Sequence, residues 1–293
     1  MRLALVLGLL LATTSCAAFS DAAADGKVTV AAAFYPLAFV AQRVGGDDAH
    51  VTNLTQPGNE PHDLELDIKT TAEVADADLV LLVHGFQPAV DDAVAEVAEG
   101  EVLDVADVVD LKESTEDHGE KDPHFWQDPG RMATLTEAVA GSLSTIDPDH
   151  AATYAANAEA LVADLDDLAS DYEEGLRGCE RDTIVVSHDA FAYLARFGLT
   201  VEGIAGLSPD AEPTPADLAR LQQLIDTDGI TTVFSERLVS PRLSETLADD
   251  MGITTAVLDP IEGLSDETAD EDYLSLMRAN LTALEEANGC PGR

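Results

Sequence analysis

Three histidines and one aspartate each stand in a distinctive short phrase of this sequence. They are His62 in Gly-Asn-Glu-Pro-His-Asp, His124 in Asp-Pro-His-Phe-Trp, His188 in Val-Val-Ser-His-Asp and Asp259 in Val-Leu-Asp-Pro. They lie 62, 64 and 71 residues apart, so no single helix or loop can hold them together. If the fold brings them to one point, three imidazoles and a carboxylate form a closed shell for zinc or another divalent transition metal.

Taken alone, each of these residues has a simpler interpretation. His62 in its acidic loop fits a surface residue, and His124 beside two aromatic residues fits a buried histidine bonded to a backbone carbonyl. His188 fits a general base, and Asp259 fits a cap on the turn at Pro260. Taken together, the four are better explained by one bound metal ion than by four separate roles.

Further carboxylates near these phrases are candidates for supporting roles. A histidine bound to metal usually has its second ring nitrogen held by an acceptor. Glu236, Asp189 and Asp128 are candidate acceptors, and Glu60 is an alternative fourth ligand. A closed shell leaves no position for a substrate, which indicates carriage or structure rather than catalysis. Because the imidazoles must be neutral, binding is expected to weaken as the pH falls toward ~6.

The balance of charge excludes one class of partner. The chain has 57 acidic and 15 basic residues, which gives a formal net charge of −42. A nucleic-acid backbone would repel such a surface, so we expect no nucleic-acid binding.

The N-terminal segment has the features of an export signal. The apolar run Leu3 to Ala12 is shorter than the ~20 residues that span a bilayer, and it suits a signal peptide over residues 1–15. Cys16 then stands where bacterial lipoproteins carry lipid, with ordinary cleavage near residues 17–24 as the alternative. Residues 16–26 are expected to form a tether, and the protein to be extracytoplasmic, either lipid-anchored or periplasmic.

Two cysteines remain beside Cys16. In an exported protein, Cys179 and Cys290 are best interpreted as one disulfide. Two free or metal-binding thiols are the alternative.

Strands that alternate with helices predict an α/β fold with parallel sheets. We expect an N-terminal lobe over residues 27–147, a linking helix over 148–177 and a C-terminal lobe over 178–293. The linking helix is indicated by apolar residues at helical spacing, which are Tyr154, Ala158, Leu161, Leu165, Leu168 and Tyr172. Ligands of parallel sheets bind outside the carboxyl ends of strands, where His188 and Asp259 are predicted to lie.

Several phrases, in this order, resemble those of the solute-binding proteins of bacterial zinc and manganese ABC transporters, the cluster A-I family. The resemblance covers nearly the whole mature chain, after the predicted signal peptide. The phrases are Phe34-Tyr35-Pro36-Leu37, Glu60-Pro61-His62-Asp63, the run from Asp122 to Pro129, Ser187-His188-Asp189-Ala190-Phe191, Phe234-Ser235-Glu236 and Leu258-Asp259-Pro260.

The resemblance implies two similar lobes, each with a mostly parallel sheet, joined by one long rigid helix, with a metal held between them. It places His62, His124, His188 and Asp259 at ligand positions. Manganese carriers commonly have a glutamate where His188 stands, so the imidazole favours zinc. The implied partner is a membrane permease, and we expect a monomer. Residues 112–122 are short and acidic, unlike the histidine-rich loop of many zinc carriers.

Other functions stay open at this point. A manganese carrier of the same type is one alternative, and a surface adhesin with a structural metal is another. An exported zinc hydrolase is the third, although the sequence has neither His-Glu-x-x-His nor Gly-x-Ser-x-Gly. The closed shell favours a protein that is not an enzyme.

Overall fold

The computed structural model describes residues 26–114 and 121–291, and in these ranges the chain forms two four-stranded parallel sheets. The first sheet has the order β2-β1-β3-β4 and contains β1 (Val28–Ala32), β2 (Ala49–Asn53), β3 (Leu79–Leu82) and β4 (Glu101–Asp104). The second has the order β6-β5-β7-β8 and contains β5 (Thr183–His188), β6 (Thr200–Ala205), β7 (Thr232–Ser235) and β8 (Thr254–Val257). The shared order confirms the prediction of an α/β fold with two similar lobes.

Helices connect and flank these strands, as parallel pairing requires. The helices of the first lobe are α1 (Tyr35–Gly45), α2 (Ile68–Asp76), α3 (Pro88–Val97), α4 (Val105–Val108) and α5 (Pro129–Ile146). The later helices are α6 (Ala151–Gly175), α7 (Pro215–Asp228), α8 (Arg242–Met251) and α9 (Tyr273–Asn288). In the described part of the chain, no helix combines the length and apolar character needed to cross a membrane.

The long helix between the sheets is α6. All six residues of its predicted apolar stripe are buried, and at 1.5 Å per residue the helix extends about 38 Å. It begins three residues later than the predicted linker, because Pro148–His150 form a 3₁₀ turn. The lobe boundaries at 147 and 178 stay predictions.

One apolar core runs through both lobes. Its buried residues include Val30 and Leu81 of the first sheet, Leu165 of α6, Val186 of the second sheet and Met277 of α9. Separating the lobes widely would expose this packed surface to water, which is unfavourable. We therefore expect only limited movement of one lobe against the other.

The predicted disulfide between Cys179 and Cys290 is present. It joins the segment after α6 to the segment after α9. The predicted signal peptide, the proposed lipid site Cys16, the tether up to residue 25 and residues 115–120 of the acidic segment lie outside the described residues.

Loss of this disulfide is expected to destabilise the fold. The bond closes a loop with a sequence separation of 111, and a cross-link over such a loop contributes about 2–5 kcal/mol. The double variant Cys179→Ser/Cys290→Ser should therefore show a free energy of unfolding lower by about that amount in urea titrations of the metal-free protein. The wild type treated with a reductant is the matched control and should unfold at the same urea midpoint as the variant. Equal urea midpoints for the variant and the untreated wild type would contradict the expectation.

Candidate metal centre

The side chains of His62, His124, His188 and Glu262 converge on one point. One ligand atom from each lies within 4.8 Å of all the others. The three imidazole Nε2 atoms lie 3.5, 3.1 and 3.3 Å, respectively, from the same Glu262 oxygen, Oε1. Tetrahedral zinc with bonds of about 2.0–2.1 Å separates its ligand atoms by about 3.3 Å. The four atoms therefore stand near the spacing that a zinc ion requires.

These four atoms are buried and unsatisfied. None of the three Nε2 atoms, nor Glu262 Oε1, has a hydrogen-bond partner of acceptable geometry. His124 and His188 are 0% exposed and Glu262 is 1% exposed. A buried polar atom without a partner is unfavourable, and native proteins rarely keep one without a reason. Four such atoms facing one another fit a shared cation.

Two of the histidines are positioned by regular structure. His188 is the last residue of β5, so it stands at the carboxyl end of a buried parallel strand. His124 precedes the 3₁₀ turn Phe125–Gln127, and this turn leads into α5, whose N-cap Asp128 accepts a hydrogen bond from the Gly130 backbone. This helix start at Asp128-Pro129 fixes the chain direction just after His124.

His62 lies in the loop after β2 and is held through its backbone. The amide of Gln87 donates to the Pro61 carbonyl at 3.1 Å and to Thr55 Oγ1 at 3.0 Å. The His62 backbone N–H donates to Glu60 Oε2 at 2.9 Å. Its side chain is 11% exposed, which makes it the most accessible of the four.

Buried carboxylates orient two of the rings. His124 Nδ1 lies 2.8 Å from Asp122 Oδ1, and His188 Nδ1 lies 2.9 Å from Glu236 Oε1. Such contacts fix the ring orientation and leave Nε2 for the metal. Glu236 was among the acceptors expected from the sequence, whereas Asp122 was not. Asp128, another expected acceptor, instead caps α5 and pairs with Arg196.

Removing the charge of Glu236 is expected to weaken metal binding without unfolding the protein. Glu236 also accepts a hydrogen bond from Ser187 Oγ at 2.6 Å, so a glutamine can keep much of the geometry. Loss of an outer carboxylate typically lowers metal affinity about 10–100-fold. Zinc titration of Glu236→Gln should show a loss in that range, with the exposed Glu245→Gln of α8 as control. Equal affinity in the two variants would contradict this role.

Charges around the cluster favour protonated imidazoles when metal is absent. Burial by itself lowers the pKa of both buried histidines, but the hydrogen bond to Asp122 and the adjacent carboxylate of Glu262 raise the pKa of His124 to about 9. The hydrogen bond to Glu236 and the same Glu262 carboxylate raise the pKa of His188 to about 10. Burial raises the pKa of Glu262, but the three histidines outweigh it and hold that pKa well below its usual range. A metal ion must displace these protons to bind.

Apolar rings and a cavity surround the cluster. The Phe86 ring lies 4.6 Å from that of His62, and the Trp126 ring lies 5.2 Å from that of His124. A cavity of about 360 Å³ opens beside His62, and its other walls include Leu207 of the second lobe and the exposed His84. Aromatic rings therefore pack against two of the three histidines, and the cavity adjoins His62, the most accessible of them.

Residues 30–287 match the family model "ZnuA: Zinc-uptake complex component A periplasmic". The chain belongs to the ZnuA family. This membership confirms the resemblance to solute-binding proteins seen in the sequence.

Three proteins illustrate what this ZnuA-family chain is similar to. The zinc-binding lipoprotein AdcA of Streptococcus pneumoniae (strain ATCC BAA-255 / R6) is 34% identical over 309 residues, covering 99% of this chain and 62% of AdcA. The high-affinity zinc uptake system protein ZnuA of Bacillus subtilis (strain 168) is 32% identical, with 89% of this chain and 88% of that protein covered. The chain thus spans about 62% of the length of the AdcA protein that it matches.

The third relative is a solved structure. The laminin binding protein Lmb of Streptococcus agalactiae, described as a bifunctional protein with adhesin and metal transporting activity, superposes with a TM-score of 0.81 at 28% identity. The match covers 89% of this chain and 99% of Lmb.

The structure of this ZnuA-family chain does not place Asp259 among the imidazoles. Asp259 Oδ1 accepts the Ile261 backbone N–H at 2.8 Å, and Oδ2 lies 3.2 Å from Arg237 Nε. Burial raises the pKa of Asp259. The hydrogen bond from Ile261 and the charge of Arg237 offset part of this increase. The carboxylate that reaches the three histidines is Glu262, three residues later. Glu262 is therefore the candidate fourth ligand in this structure, and the ligand role expected for Asp259 stays a prediction.

Glu60, the alternative fourth ligand, lies beside the cluster rather than in it. One of its oxygens accepts the His62 backbone N–H. Burial and the adjacent charge of Glu262 raise the pKa of Glu60 to about 8. Glu60 thus holds the backbone of the His62 loop in this structure, and its alternative role as fourth ligand stays a prediction.

Proposed function

We propose that this protein captures zinc outside the cytoplasm and delivers it to the permease of an ABC transporter. The observation that carries the proposal is the meeting of four buried, unsatisfied atoms, which belong to His62, His124, His188 and Glu262. The family description, a periplasmic component of a zinc-uptake complex, also supports a function in zinc uptake. So do the names of AdcA and ZnuA, which refer to zinc binding and zinc uptake.

The donor set favours zinc over manganese. Three imidazole nitrogens and one carboxylate oxygen suit zinc, whereas manganese prefers a larger share of oxygen ligands. The four protein ligands complete a tetrahedral shell and leave no open position for a substrate. We therefore propose carriage rather than hydrolysis as the activity of this site.

The placement of the ligands suggests how the ion is released. His62 and His124 precede α6, and His188 and Glu262 follow it. The ion therefore joins the two proposed lobes, and the continuous core resists a wide hinge motion. A permease that shifts one lobe slightly would break two of the four metal bonds together, because ligand distances of zinc tolerate little stretching.

Anchoring and assembly complete the proposal. We propose that residues 1–15 are removed on export, that Cys16 carries lipid and that the protein acts as a monomer beside its permease. The word lipoprotein in the name of AdcA supports the anchor. The similarity to Lmb is a similarity of fold. We do not infer from it that this protein binds a matrix protein.

Competition titration tests the proposed function. The chelator-stripped protein should bind one zinc ion tightly in the presence of a chromophoric chelator, and manganese should compete poorly. His188→Ala should lose at least about 100-fold in zinc affinity, because a four-ligand zinc site shares some 10–16 kcal/mol among its ligands. A site that prefers manganese, or binding unchanged in His188→Ala, would contradict the proposal.

A further inference from the structure

The turn that carries Glu262 has an unusual backbone. Ile261 has φ 60°, and within the described ranges it is the only residue other than glycine with a positive φ. A β-branched residue in this left-handed region is a genuine outlier, which persists only where its surroundings enforce it. Ile261 is also 0% exposed. Because Glu262 follows directly, this backbone angle sets the direction in which the Glu262 side chain leaves the turn.

The second lobe holds one side of this turn. Asp259 Oδ1 accepts the Ile261 N–H at 2.8 Å. Asn280 of α9 accepts the Asp259 N–H at 2.9 Å and donates to the Asp259 carbonyl at 2.6 Å. These bonds fix the start of the turn at Asp259, but none of them reaches the carbonyl of Pro260.

The Pro260 carbonyl is held from the segment that carries His124. Trp126 Nε1 donates to it at 2.7 Å, and Gln127 Nε2 donates to it at 2.6 Å. Both donor residues are 0% exposed and belong to the 3₁₀ turn that begins directly after His124. Two buried donors on one carbonyl oxygen use both of its lone pairs.

The side chain of Gln127 has no other evident reason to be polar. Its Oε1 atom is buried without a hydrogen-bond partner. A buried amide whose oxygen is unsatisfied is less favourable than an apolar side chain of equal size, unless its N–H group makes a contact that matters. The contact that it makes is the bond to Pro260.

We propose that Trp126 and Gln127 are positioning residues for the metal ligand Glu262. By holding the Pro260 carbonyl they keep Ile261 in its left-handed conformation, and that conformation aims Glu262 at the three imidazoles. The inference rests on the proposed zinc site and deepens it. The segment from His124 to Gln127 thus provides one ligand, His124, directly. It also positions a second ligand, Glu262, which follows α6 in the sequence.

The arrangement couples lobe position to ligand release. A small separation of the lobes breaks both bonds to Pro260 before it disturbs the core. Ile261 can then relax toward ordinary backbone angles, and Glu262 turns away from the ion. Loss of the one anionic ligand would leave zinc on neutral imidazoles only, from which it dissociates faster.

The test is the zinc dissociation rate of Gln127→Met, measured by stopped-flow capture with excess chelator. Methionine keeps the volume but lacks the donor. Loss of a buried hydrogen bond of this kind should make zinc leave about tenfold faster than from the wild type. The visible ligand-field bands of the Co²⁺-loaded protein should change, which a purely structural role would not cause. Gln223→Met on the exposed surface of α7 is the matched control and should behave as wild type.

Two further variants test the same positioning role if Gln127→Met folds poorly. Trp126→Phe removes the other donor and keeps an aromatic ring against His124, so it should also release zinc faster. In an Ile261→Gly background the left-handed angle carries no strain, and the effect of Gln127→Met should shrink to about threefold or less.

Two outcomes separate the inference from the function on which it rests. Dissociation rates and Co²⁺ spectra like those of the wild type in both donor variants would overturn the positioning role while leaving the zinc site in place. A wild-type protein that binds no zinc would instead refute the proposed function.

Discussion

Replacement of Glu262 by glutamine is expected to lower zinc affinity at least about 100-fold, whereas Asp259→Asn should lower it far less. Glu262 Oε1 lies within 3.5 Å of all three imidazole Nε2 atoms, and its pKa is held well below the usual range. Glutamine keeps the shape but removes the only negative charge among the four ligand atoms. Asp259 instead bonds the turn and Arg237.

The comparison between the two variants is the informative result. Both replacements are isosteric, and both side chains are buried in the same turn. Isothermal titration against a competing chelator gives the two affinities under one set of conditions. A larger loss in Asp259→Asn than in Glu262→Gln would mean that Asp259 is the ligand and that the turn rearranges when metal binds.

Zinc affinity is expected to fall by up to about 100-fold for each unit of decreasing pH below neutrality. The pKa of His124 is raised to about 9 and that of His188 to about 10, so both rings carry a proton in the metal-free protein at pH 7. Zinc binds only neutral imidazoles and must release both protons. Titration calorimetry in buffers of different ionisation enthalpy should show about two protons released per zinc ion at pH 7.

The same shifts predict how the metal-free protein responds to pH. A folded-state pKa above the ordinary value of 6.5 means that the folded protein binds these protons more tightly than the unfolded chain. The resulting stabilisation is fully present below about pH 6.5 and is lost as the pH rises through 9 to 10. The melting temperature of the stripped protein should therefore fall over this range, while the zinc-loaded protein should change less. Stripped and loaded proteins with parallel melting curves against pH, or release of no protons, would contradict these charge states.

The three histidines could be identified from the sequence because each stands in a short phrase at a strand end or beside a helix start. The position of His188 at the end of β5 was predicted by a local pattern that the structure confirms. Apolar spacing likewise predicted the buried stripe of α6. These features depend on neighbours in the sequence, which pattern analysis can see.

The fourth side chain of the cluster could not be chosen in this way. Asp259 follows a strand directly, and a general rule places ligands there. The turn at Pro260 and the positive φ of Ile261 instead bring Glu262 to the cluster. The Pro260 carbonyl beside that angle accepts hydrogen bonds from Trp126 and Gln127, more than 130 residues away along the chain. The run Asp-Pro-Ile-Glu-Gly does contain a second acidic residue, and it was the available signal.

Weakly patterned elements were also missed. Only Val74 of α2 is buried, and only Leu103 of β4 is buried, so neither element has the apolar periodicity that prediction requires. Asp122 was missed as the partner of His124 because it lies two residues before it, where sequence alone does not show whether the side chain turns back.

The most direct test of the proposed zinc site is the anomalous diffraction of crystals grown from the zinc-loaded protein. We expect one strong zinc peak bound by the Nε2 atoms of His62, His124 and His188 and by a Glu262 oxygen, at about 2.0–2.2 Å. Asp259 should remain paired with Arg237. A zinc ion bound elsewhere, or bound by Asp259 with Glu262 turned away, would contradict it.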